Sequence, residues 1–457
     1  MRGGTGKANG KANRLNRRQL LKAGASTFAA AAMQFPMPLI AGAKPFAGVT
    51  LHGASYQHPF MTILQGYIPE FEQQTGIKVD LRLSPLAVYN QSITQALSSD
   101  SDAFDFINVT FFLAARWIAG RLLTNLDEFT QDADVTPSDW NPNDFVDGAQ
   151  LPYRDADGST YGYAWEGGAM VMGLSRMDIM ARKGLEVPRT FDELMNVATE
   201  LNGSDGVSGF VSWQMHHWCL IPYLQGFGGN VFKDPPGDMA PTLNSEAAVK
   251  AVDYYAKLLA CAPQGVLSYT EGQAKQALLM GRANVFIHSS SWISPMLLSE
   301  QSKVKETALI TAMPKGPIND CPAANSQGLG IPRNAKNKRA SWEFIKWALS
   351  REMLTRIVRE HRHATVCRRS VIESAAYRDI NTVNGQDLGA LYLNVLERPA
   401  KGRNYMAYRT ARDFPVAGEA INWAVQQVAT SQLSARDAMN AAQQKVVADL
   451  DKARSAL

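Results

Sequence analysis

Apolar and polar residues follow two periods in the first part of the chain. Residues 77–83 alternate apolar and polar side chains, the pattern of a half-buried strand. Together with shorter apolar runs, this pattern predicts strands at 49–53, 77–83 and 104–109 and helices at 59–75, 89–97 and 111–121. The βαβαβ order predicts a mainly parallel sheet covered by helices. Ligands collect at the carboxyl ends of such strands, here residues 54–58 and 109–112.

A second set of elements follows residue 155. Thr190 and Glu193 have the spacing of a capping box, which predicts a helix start. Asn244 or Ser245 caps another helix, whose apolar residues fall on one face. A buried strand is predicted at 283–287, and amphipathic helices are predicted at 338–349 and 436–450.

The first 43 residues have a different pattern. Arg17 and Arg18 precede a weakly apolar, alanine-rich stretch at 23–40, and small residues follow it. This arrangement resembles a twin-arginine export signal, and the stretch is too polar for a spanning helix. We therefore predict that residues 1–43 are a signal peptide that directs the protein to the periplasm by the twin-arginine route. The alternative is an amphipathic N-terminal helix of the folded domain.

The charged residues are also distributed unequally between residues 1–43 and the rest of the chain. The whole chain has 46 basic and 42 acidic side chains, a formal net charge of +4. Seven of the basic residues and none of the acidic ones lie in the predicted signal peptide, so the remainder has 39 basic and 42 acidic side chains. Without a basic excess, nothing favours nucleic acid or an anionic membrane surface as a partner. No later stretch has the roughly eighteen apolar residues of a spanning helix.

The length of residues 44–457 exceeds what one hydrophobic core usually serves, so two lobes are expected. The chain has 4 cysteines, which in an oxidising compartment allow three sets of pairings. A disulfide between Cys321 and Cys367 is slightly favoured over the pairings that involve Cys219 or Cys261. Four reduced thiols are an equally good expectation.

Short motifs are spread along nearly all of residues 44–457. They are FEQQTGIKV at 71–79, FDFI at 104–107, GSTYG at 158–162, LLMGRA at 278–283, SSSW at 289–292, and the segments 328–348 and 434–442. In order and spacing they resemble the extracellular solute-binding protein family 1, the sugar-binding subunits of ABC importers such as maltose-binding protein. Phe104 stands where that family has proline, Ser290 stands where it has glycine, and the 216–219 loop is unusual.

The resemblance implies an α/β fold, the two-lobe type II periplasmic binding protein, with a hinged cleft between two helix-covered sheets. Lobe 1 is predicted at 44–163 and 312–358, and lobe 2 at 164–311 and 359–457, with crossings near 163–168, 309–314 and 357–364. The implied function is the periplasmic substrate-binding component of an ABC importer, which binds a carbohydrate or polyol and delivers it to the permease transmembrane subunits. We expect a monomer without cofactor or catalysis.

Sugars present hydroxyl rims and apolar C–H faces, so their sites combine flat aromatic rings with carboxylates and amides. The predicted ligand-binding residues are Tyr56, Gln57, Thr110, Phe111, Trp165, Glu166, Trp213, His216, Trp218, Trp292, Asn325 and Gln327. Trp292 matches the tryptophan of the family motif. For the other tryptophans, core packing is an equal alternative.

Other ligand chemistries have less support from the sequence. His216, His217 and Cys219 lie close together, but adjacent histidines on an extended segment point to opposite sides, so no metal site is predicted. Arg368 and Arg369 would favour an anionic ligand, such as a sugar acid or glycerophosphodiester, if they faced the cleft. That alternative stays open.

Two other function classes are less well supported. The sequence has no Gly-x-Ser-x-Gly elbow, phosphate-binding glycine loop or His-Glu-x-x-His motif, so we predict that the protein is not an enzyme. A periplasmic hydrolase is the weaker alternative. A ferric-ion binder on a related two-lobe fold needs several cleft tyrosines, and Tyr56, Tyr223 and residues 405–408 form no obvious cluster in the sequence.

Overall fold

The alternating strands and helices expected for the first part of the chain are present in a computed structural model. The structure describes residues 44–235, 238–290, 300–320, 324–397 and 414–455. The predicted signal peptide, Trp292 and Cys321 lie outside the described residues. Lys44–Leu457 form one compact unit. No helix in the described part of the chain is long and apolar enough to cross a membrane.

The elements are numbered in chain order. The strands are β1 Thr50–Tyr56, β2 Lys78–Ser84, β3 Phe106–Thr110, β4 Tyr163–Leu174, β5 Ser208–Val211, β6 Phe232–Asp234, β7 Asp238–Pro241, β8 Ala283–Ser289, β9 Leu309–Ala312, β10 Ala324–Gly330, β11 Thr382–Val383 and β12 Gln386–Asp387. The α-helices are α1 Pro59–Thr75, α2 Leu86–Ser98, α3 Phe111–Ala119, α4 Asp127–Thr130, α5 Asp147–Gln150, α6 Met177–Arg182, α7 Phe191–Leu201, α8 His216–Cys219, α9 Ile221–Gly226, α10 Glu246–Ala260, α11 Glu271–Leu279, α12 Lys338–Ala348, α13 Arg351–His361, α14 Arg369–Ile372, α15 Ala375–Asn381, α16 Leu388–Glu397, α17 Phe414–Ala429 and α18 Ala435–Ser455. Short 3-10 turns lie at Ser138–Trp140, Pro142–Asp144, Leu151–Tyr153, Ser204–Gly206 and Val266–Ser268.

The main sheet runs in the order β2-β1-β3-β10-β4-β8-β5, with β9 also paired to β4. Strand β1 is parallel to β2 and β3, as the βαβαβ pattern predicts. Strand β10 lies between β3 and β4 and is antiparallel to both. The first part of β4 pairs with β10, and its second part pairs with β8 and β9. One strand therefore belongs to both halves of the sheet.

Helix α1 shows how local sequence sets an element that borders the site. Pro59 occupies its first turn, and the side chain of His58 accepts a hydrogen bond from the backbone N–H of Phe60 as the N-cap. Gly76 ends the helix with φ 76°, in the left-handed region that glycine tolerates best. The buried face includes Phe60 and Leu64, so α1 packs on the sheet and fixes the loop after β1.

Several expected helix signals are present in the second part of the chain. Thr190 and Glu193 form the predicted capping box at the start of α7. Ser245, and not Asn244, caps α10 through a bond from the N–H of Ala248. A second capping box at Thr270 starts α11, so the first residue of that helix, Glu271, is held at the edge of the sheet. Of these three helices, α11 is the one that contributes a residue, Glu271, to the cavity described below.

The chain passes from the second half of the sheet to the first between β9 and β10. Strand β9 pairs with the second part of β4, whereas β10 pairs with the first part. This passage lies near one of the predicted crossings. The predicted boundaries of the two lobes stay a prediction.

Candidate functional site

A cavity of about 210 Å³ lies where the two parts of β4 meet. The loop after β1, the start of α3, strand β10, the segment after β5, the start of α11 and the end of β8 surround it. Its lining residues are Tyr56, Gln57, His58, Leu86, Phe111, Phe112, Glu166, Gly168, Met170, Trp213, Met215, Trp218, Cys219, Pro222, Glu271, Ile287, His288, Ser289, Asn325 and Gln327. The carboxyl ends of the parallel strands contribute, as expected for such a sheet.

Eight of the twelve predicted residues line this cavity, namely Tyr56, Gln57, Phe111, Glu166, Trp213, Trp218, Asn325 and Gln327. Thr110, Trp165 and His216 are fully buried and are not among the lining residues. Trp292, the remaining predicted residue, lies outside the described residues. Eight of the 20 lining residues could therefore be identified from the sequence, while their contact with a ligand stays a prediction.

Trp165 and Glu166 are adjacent on β4, but only Glu166 is among the cavity-lining residues. Glu166, Gly168 and Met170 line the cavity, because every second side chain of a strand faces the same way. Trp165 stacks on Phe60 at a ring-centroid distance of 4.8 Å, and its ring also lies 4.8 Å from that of His58. It is also the extra residue of a β-bulge, since Gln327 pairs with Glu166 but the next residue of β10 pairs with Ala164.

A buried hydrogen-bond chain orients the polar wall on β10. Nε1 of Trp165 donates to Oδ1 of Asn108 at 2.9 Å. Nδ2 of Asn108 donates to Oε1 of Gln327 at 3.2 Å and to Oγ1 of Thr110 at 3.3 Å. The carbonyl end of the Gln327 amide is therefore turned toward Asn108, so its NH₂ group lies on the other side. Trp165 and Thr110 act on the cavity through this chain.

Aromatic rings form the apolar part of the wall. Phe111 lies edge-on to Trp218, with ring centroids 5.9 Å apart, and to Phe112 at 5.3 Å. Trp213 lies 5.7 Å from the ring of His288. Such rings can pack against the C–H faces of a carbohydrate or polyol while the polar wall binds its hydroxyl groups.

Two glutamate–histidine pairs border the cavity. Nε2 of His58 lies 3.1 Å from Oε2 of Glu166, and their side chains are only 6% and 3% exposed. Nε2 of His288 lies 3.1 Å from Oε1 of Glu271, and Nζ of Lys275 lies 3.4 Å from the same oxygen. His58, Glu271 and His288 were not expected from the sequence. The capping pattern at Thr270 was the one local signal that could have located Glu271.

The charge of Glu271 is balanced by its neighbours. Burial raises the pKa of Glu271, but the hydrogen bond and charge of His288, with Lys275, outweigh burial and lower it. Burial lowers the pKa of Lys275 to about 8, against the opposing effect of Glu271. Burial also raises the pKa of Tyr56 well above its usual value, so its hydroxyl stays protonated.

His216 is fully buried and does not line the cavity, although Trp218 and Cys219 of the same helical turn do. Residues 216–219 are the helical turn α8 and not the extended segment assumed from the sequence, because the chain turns at once into α9. Nδ1 of His216 lies 3.4 Å from the hydroxyl of Tyr255, which also contacts Oγ of Ser212 at 2.6 Å. Burial lowers the pKa of His216 to about 4, so its ring is neutral.

Arg368 and Arg369 are engaged away from the cavity. Arg368 is 1% exposed, donates to the carbonyl of Leu349 at 2.6 Å and pairs with Asp144 at 3.2 Å. Arg369 pairs with Glu397 at 2.5 Å. Neither arginine is among the cavity-lining residues, and in the described part of the chain no arginine or lysine is.

The described residues offer little support for a metal site or for a tyrosine cluster that binds ferric ion. Within the described ranges, no three His, Cys, Asp or Glu side chains converge on one point. Tyr223 is buried in the core, and residues 405–408 lie outside the described residues. Cys261 and Cys367 carry buried free thiols.

A larger surface hollow of about 530 Å³, between residues 259–268 and the end of α17, has no titratable residue in its lining.

Known proteins resemble this chain in sequence. The family of bacterial extracellular solute-binding proteins matches residues 54–354. An erythritol/L-threitol-binding protein from Mycolicibacterium smegmatis is 20% identical over 348 residues, which are 73% of this chain and 73% of that protein.

Solved structures share the fold. A solute-binding protein of an ABC transporter from Agrobacterium radiobacter, in complex with ribitol, has a TM-score of 0.76 and 21% identity over 88% of this chain and 99% of that chain. A solute-binding protein from Agrobacterium vitis, with bound D-mannitol, has a TM-score of 0.73 and 20% identity over 88% of this chain and 99% of that chain. The expected α/β fold of two-lobe type II binding proteins is thus confirmed.

Proposed function

The chain belongs to the bacterial extracellular solute-binding proteins, and from this premise we propose that it captures a small carbohydrate or polyol for an ABC importer. The observation that carries this proposal is the cavity at β4, where aromatic rings, three amides and two carboxylates converge. That combination suits a ligand with many hydroxyl groups and apolar C–H faces. The eight predicted residues that line the cavity are proposed to contact it.

The size of the cavity supports a small ligand. Its volume of about 210 Å³ is below the roughly 300–1,000 Å³ of pockets for drug-sized molecules, which favours a single sugar or short polyol over an oligosaccharide. The resemblance to proteins that bind erythritol, ribitol or D-mannitol points to acyclic polyols. We propose acyclic polyols as the first class to examine.

The shared strand β4 supports the proposed transport role. Because β4 belongs to both halves of the sheet, a ligand that contacts β4, β10 and α11 contacts both halves at once. Closure around the ligand would give the permease transmembrane subunits a liganded form to recognise. We propose that the protein acts as a monomer in this role and performs no catalysis, so the ligand should be recovered chemically unchanged by NMR after incubation.

Export by the twin-arginine route is proposed from Arg17 and Arg18. Replacing both arginines by lysine should leave the protein in the cytoplasm, as measured by cell fractionation. Unchanged delivery of that variant to the periplasm would contradict the proposed route.

Ligand-dependent stabilisation tests the binding role directly. The melting temperature of the purified protein is measured with erythritol, ribitol, D-mannitol, D-glucose and maltose. A ligand bound only by the folded state adds about 2.7 kcal/mol at 100 times its Kd, so the true class should raise Tm. Protein that is folded and free of carried-over ligand, yet unaffected by every compound, would contradict the proposal.

A matched pair of tryptophan variants locates the site. Trp213→Ala removes a ring from the cavity wall and should weaken binding about tenfold or more in calorimetry. Trp423→Ala removes a tryptophan that is 39% exposed on α17, outside the cavity lining, and should leave the affinity unchanged. Equal affinities of the two variants would place the ligand elsewhere.

A further inference from the structure

Three side chains form a hydrogen-bonded series that ends at the cavity, and the first of them sets its direction. The indole N–H of Trp165 can only donate, and its Nε1 lies 2.9 Å from Oδ1 of Asn108. The amide of Asn108 therefore turns its oxygen toward Trp165 and its NH₂ group toward β10, where Nδ2 lies 3.2 Å from Oε1 of Gln327. The reverse orientation of Asn108 would bring two N–H groups together.

A second partner of Asn108 agrees with this direction. Nδ2 of Asn108 also lies 3.3 Å from Oγ1 of Thr110, and the Thr110 hydroxyl donates to Oδ1 of Asn90 at 2.9 Å. Because the Thr110 proton is used in the bond to Asn90, its oxygen is the acceptor for Asn108. The oxygen and both N–H groups of the Asn108 amide are thus engaged.

Burial makes the direction of the series difficult to reverse. Asn108, Thr110 and Trp165 are fully buried, and Gln327 is 5% exposed. An amide turned the wrong way would leave buried polar atoms unpaired, so the reverse orientation is strongly disfavoured. The indole of Trp165 consequently determines the orientation of an amide that it does not contact, that of Gln327.

Gln327 carries this orientation to the cavity wall. It lies on β10 between Thr110 of β3 and Glu166 of β4, and it lines the cavity. Since its Oε1 faces Asn108, its NH₂ group is the end of the amide left for a ligand. An NH₂ group donates, so the ligand atom opposite must carry a lone pair. A hydroxyl oxygen meets that requirement, whereas a methylene or ammonium group does not.

We propose that Trp165 and Asn108 are positioning residues that turn the NH₂ group of Gln327 toward the cavity, and that Gln327 donates a hydrogen bond to one hydroxyl oxygen of the ligand. The inference rests on the proposed function, since it assigns donor and acceptor at one contact of the same cavity. Gln327 touches the ligand, whereas Trp165 and Asn108 act only through Gln327.

The direction of the Gln327 amide can be measured without a ligand. Neutron diffraction from crystals of the perdeuterated protein locates deuterium atoms and so distinguishes Nε2 from Oε1. Two deuterium atoms are expected on the cavity side of the amide, with the bare oxygen facing Asn108. Deuterium atoms of Gln327 that point toward Asn108 would overturn the inference.

The contact with the ligand is tested by removing either partner. Isothermal titration calorimetry compares ribitol with its singly deoxygenated analogues, on the unmodified protein and on Gln327→Met, which has no amide. If erythritol or D-mannitol binds more tightly than ribitol, the series of that polyol is used. One analogue should bind the unmodified protein about tenfold or more weakly than its parent, but Gln327→Met within about twofold. The same ratio on both proteins for every analogue would overturn the contact.

A double-mutant cycle tests the positioning role of Asn108. Asn108→Leu replaces the amide by an apolar side chain of similar size, so Gln327 loses the donor that orients it. The affinity for the polyol should fall about threefold to tenfold, but less than about twofold when the change is made in the Gln327→Met background. An equal fall in both backgrounds would show that Asn108 acts on the fold alone and would overturn its assigned role.

Two more variants complete the test. Trp165→Phe keeps an aromatic ring beside Phe60 and removes the indole N–H, so neutron diffraction should show Gln327 in both orientations. A single, unchanged orientation would overturn the role of Trp165, also if Asn108→Leu does not fold. Asn90→Ala changes the end of the network that is remote from Gln327 and lies outside the cavity lining, so it is the control, with affinity within about twofold.

The outcomes distinguish this inference from the proposed function. Polyol binding by a protein whose Gln327 amide is reversed overturns the inference and leaves the solute-binding role in place. Polyol binding with equal losses in both backgrounds does the same. Absence of binding to erythritol, ribitol and D-mannitol alike overturns the proposed function and the ligand contact of Gln327, while neutron diffraction still decides the direction of the amide.

Discussion

Individual polar side chains around the cavity are fixed by bonds made on the side away from the ligand. Asn108 is fully buried and gives its carbonyl oxygen to Trp165 and its NH₂ group to Gln327. His58 does the equivalent with its two ring nitrogens. Pre-oriented groups lose little conformational entropy on binding, so this arrangement favours affinity for a flexible, hydroxyl-rich ligand.

His216 gives a pH-dependent prediction at the residue scale. Its pKa is about 4 in the folded protein and about 6.5 when the chain is unfolded. Between these values the unfolded state binds a proton that the folded state does not, so stability should fall as the pH drops from 6.5 to 4. The loss from this one ring is about 3 kcal/mol at pH 4. Urea unfolding at a series of pH values measures it.

A pair of variants isolates that contribution. His216→Phe removes the titrating ring and should flatten the decline of unfolding free energy below pH 6.5 by about one proton. Tyr255→Phe removes the neighbouring hydroxyl and keeps the imidazole, so its decline should match that of the unmodified protein. Parallel pH profiles for His216→Phe and the unmodified protein would contradict the assignment.

The types of residue in the candidate site were easier to predict than which of the predicted residues line the cavity. Aromatic and amide residues after the strands were identified because carbohydrate sites need those groups. Trp165 and Glu166 are neighbours in sequence, yet only Glu166 lines the cavity, and Trp165 is the extra residue of the bulge. His58 carried no local signal, because its role depends on Glu166, which is remote in the sequence.

Two glycines, one inside α1 and one that caps its end, give predictions of opposite sign for the free energy of unfolding. Gly66 is exposed in the middle of the helix, and an added Cβ would meet nothing within 4 Å, so Gly66→Ala should stabilise by roughly 0.5–1 kcal/mol. Gly76 has φ 76° at the helix end, and an added Cβ would lie 3.0 Å from Cβ of Ala47. Gly76→Ala should therefore destabilise by about 1–2 kcal/mol. Chemical denaturation measures both.

The two variants serve as controls for each other, since both add one methyl group to the same helix. Equal shifts in the free energy of unfolding would mean that the left-handed conformation at Gly76 does not limit the helix end. A loss in Gly66→Ala would mean that the exposed face of α1 packs against something.

Local elements were predictable because their causes are local. Helix α1 was expected at 59–75 and is found there, since Pro59 and Gly76 mark its ends. Strand β10 illustrates what the sequence does not reveal. Its place between β3 and β4 depends on pairing with segments more than 150 residues earlier in the chain, which local periodicity does not encode.

Cooperative unfolding is the prediction at the scale of the whole molecule. Because β4 pairs with strands of both halves, neither half can lose its sheet without exposing edges of the other. We therefore expect a single urea transition with coincident midpoints by far-UV circular dichroism and tryptophan fluorescence. The tryptophans report on both halves, since Trp342 lies on α12, which packs on α1, whereas Trp213 follows β5.

Separate midpoints for the two probes would indicate that the lobes unfold independently. In that case a saturating polyol should bring the two transitions together, because the proposed ligand would contact both halves. The comparison with and without ligand therefore distinguishes coupling through β4 from coupling through the ligand.

The late position of β10 has a consequence for how the chain is made. Ribosomes synthesise from the amino end at about 5–20 residues per second, so β3 and β4 emerge long before residues 324–330. Until then a nascent chain holds two strands whose shared neighbour has not been translated. The sheet can close only after residue 330 has been translated, so the sheet is completed late in synthesis, after both of the strands that β10 joins.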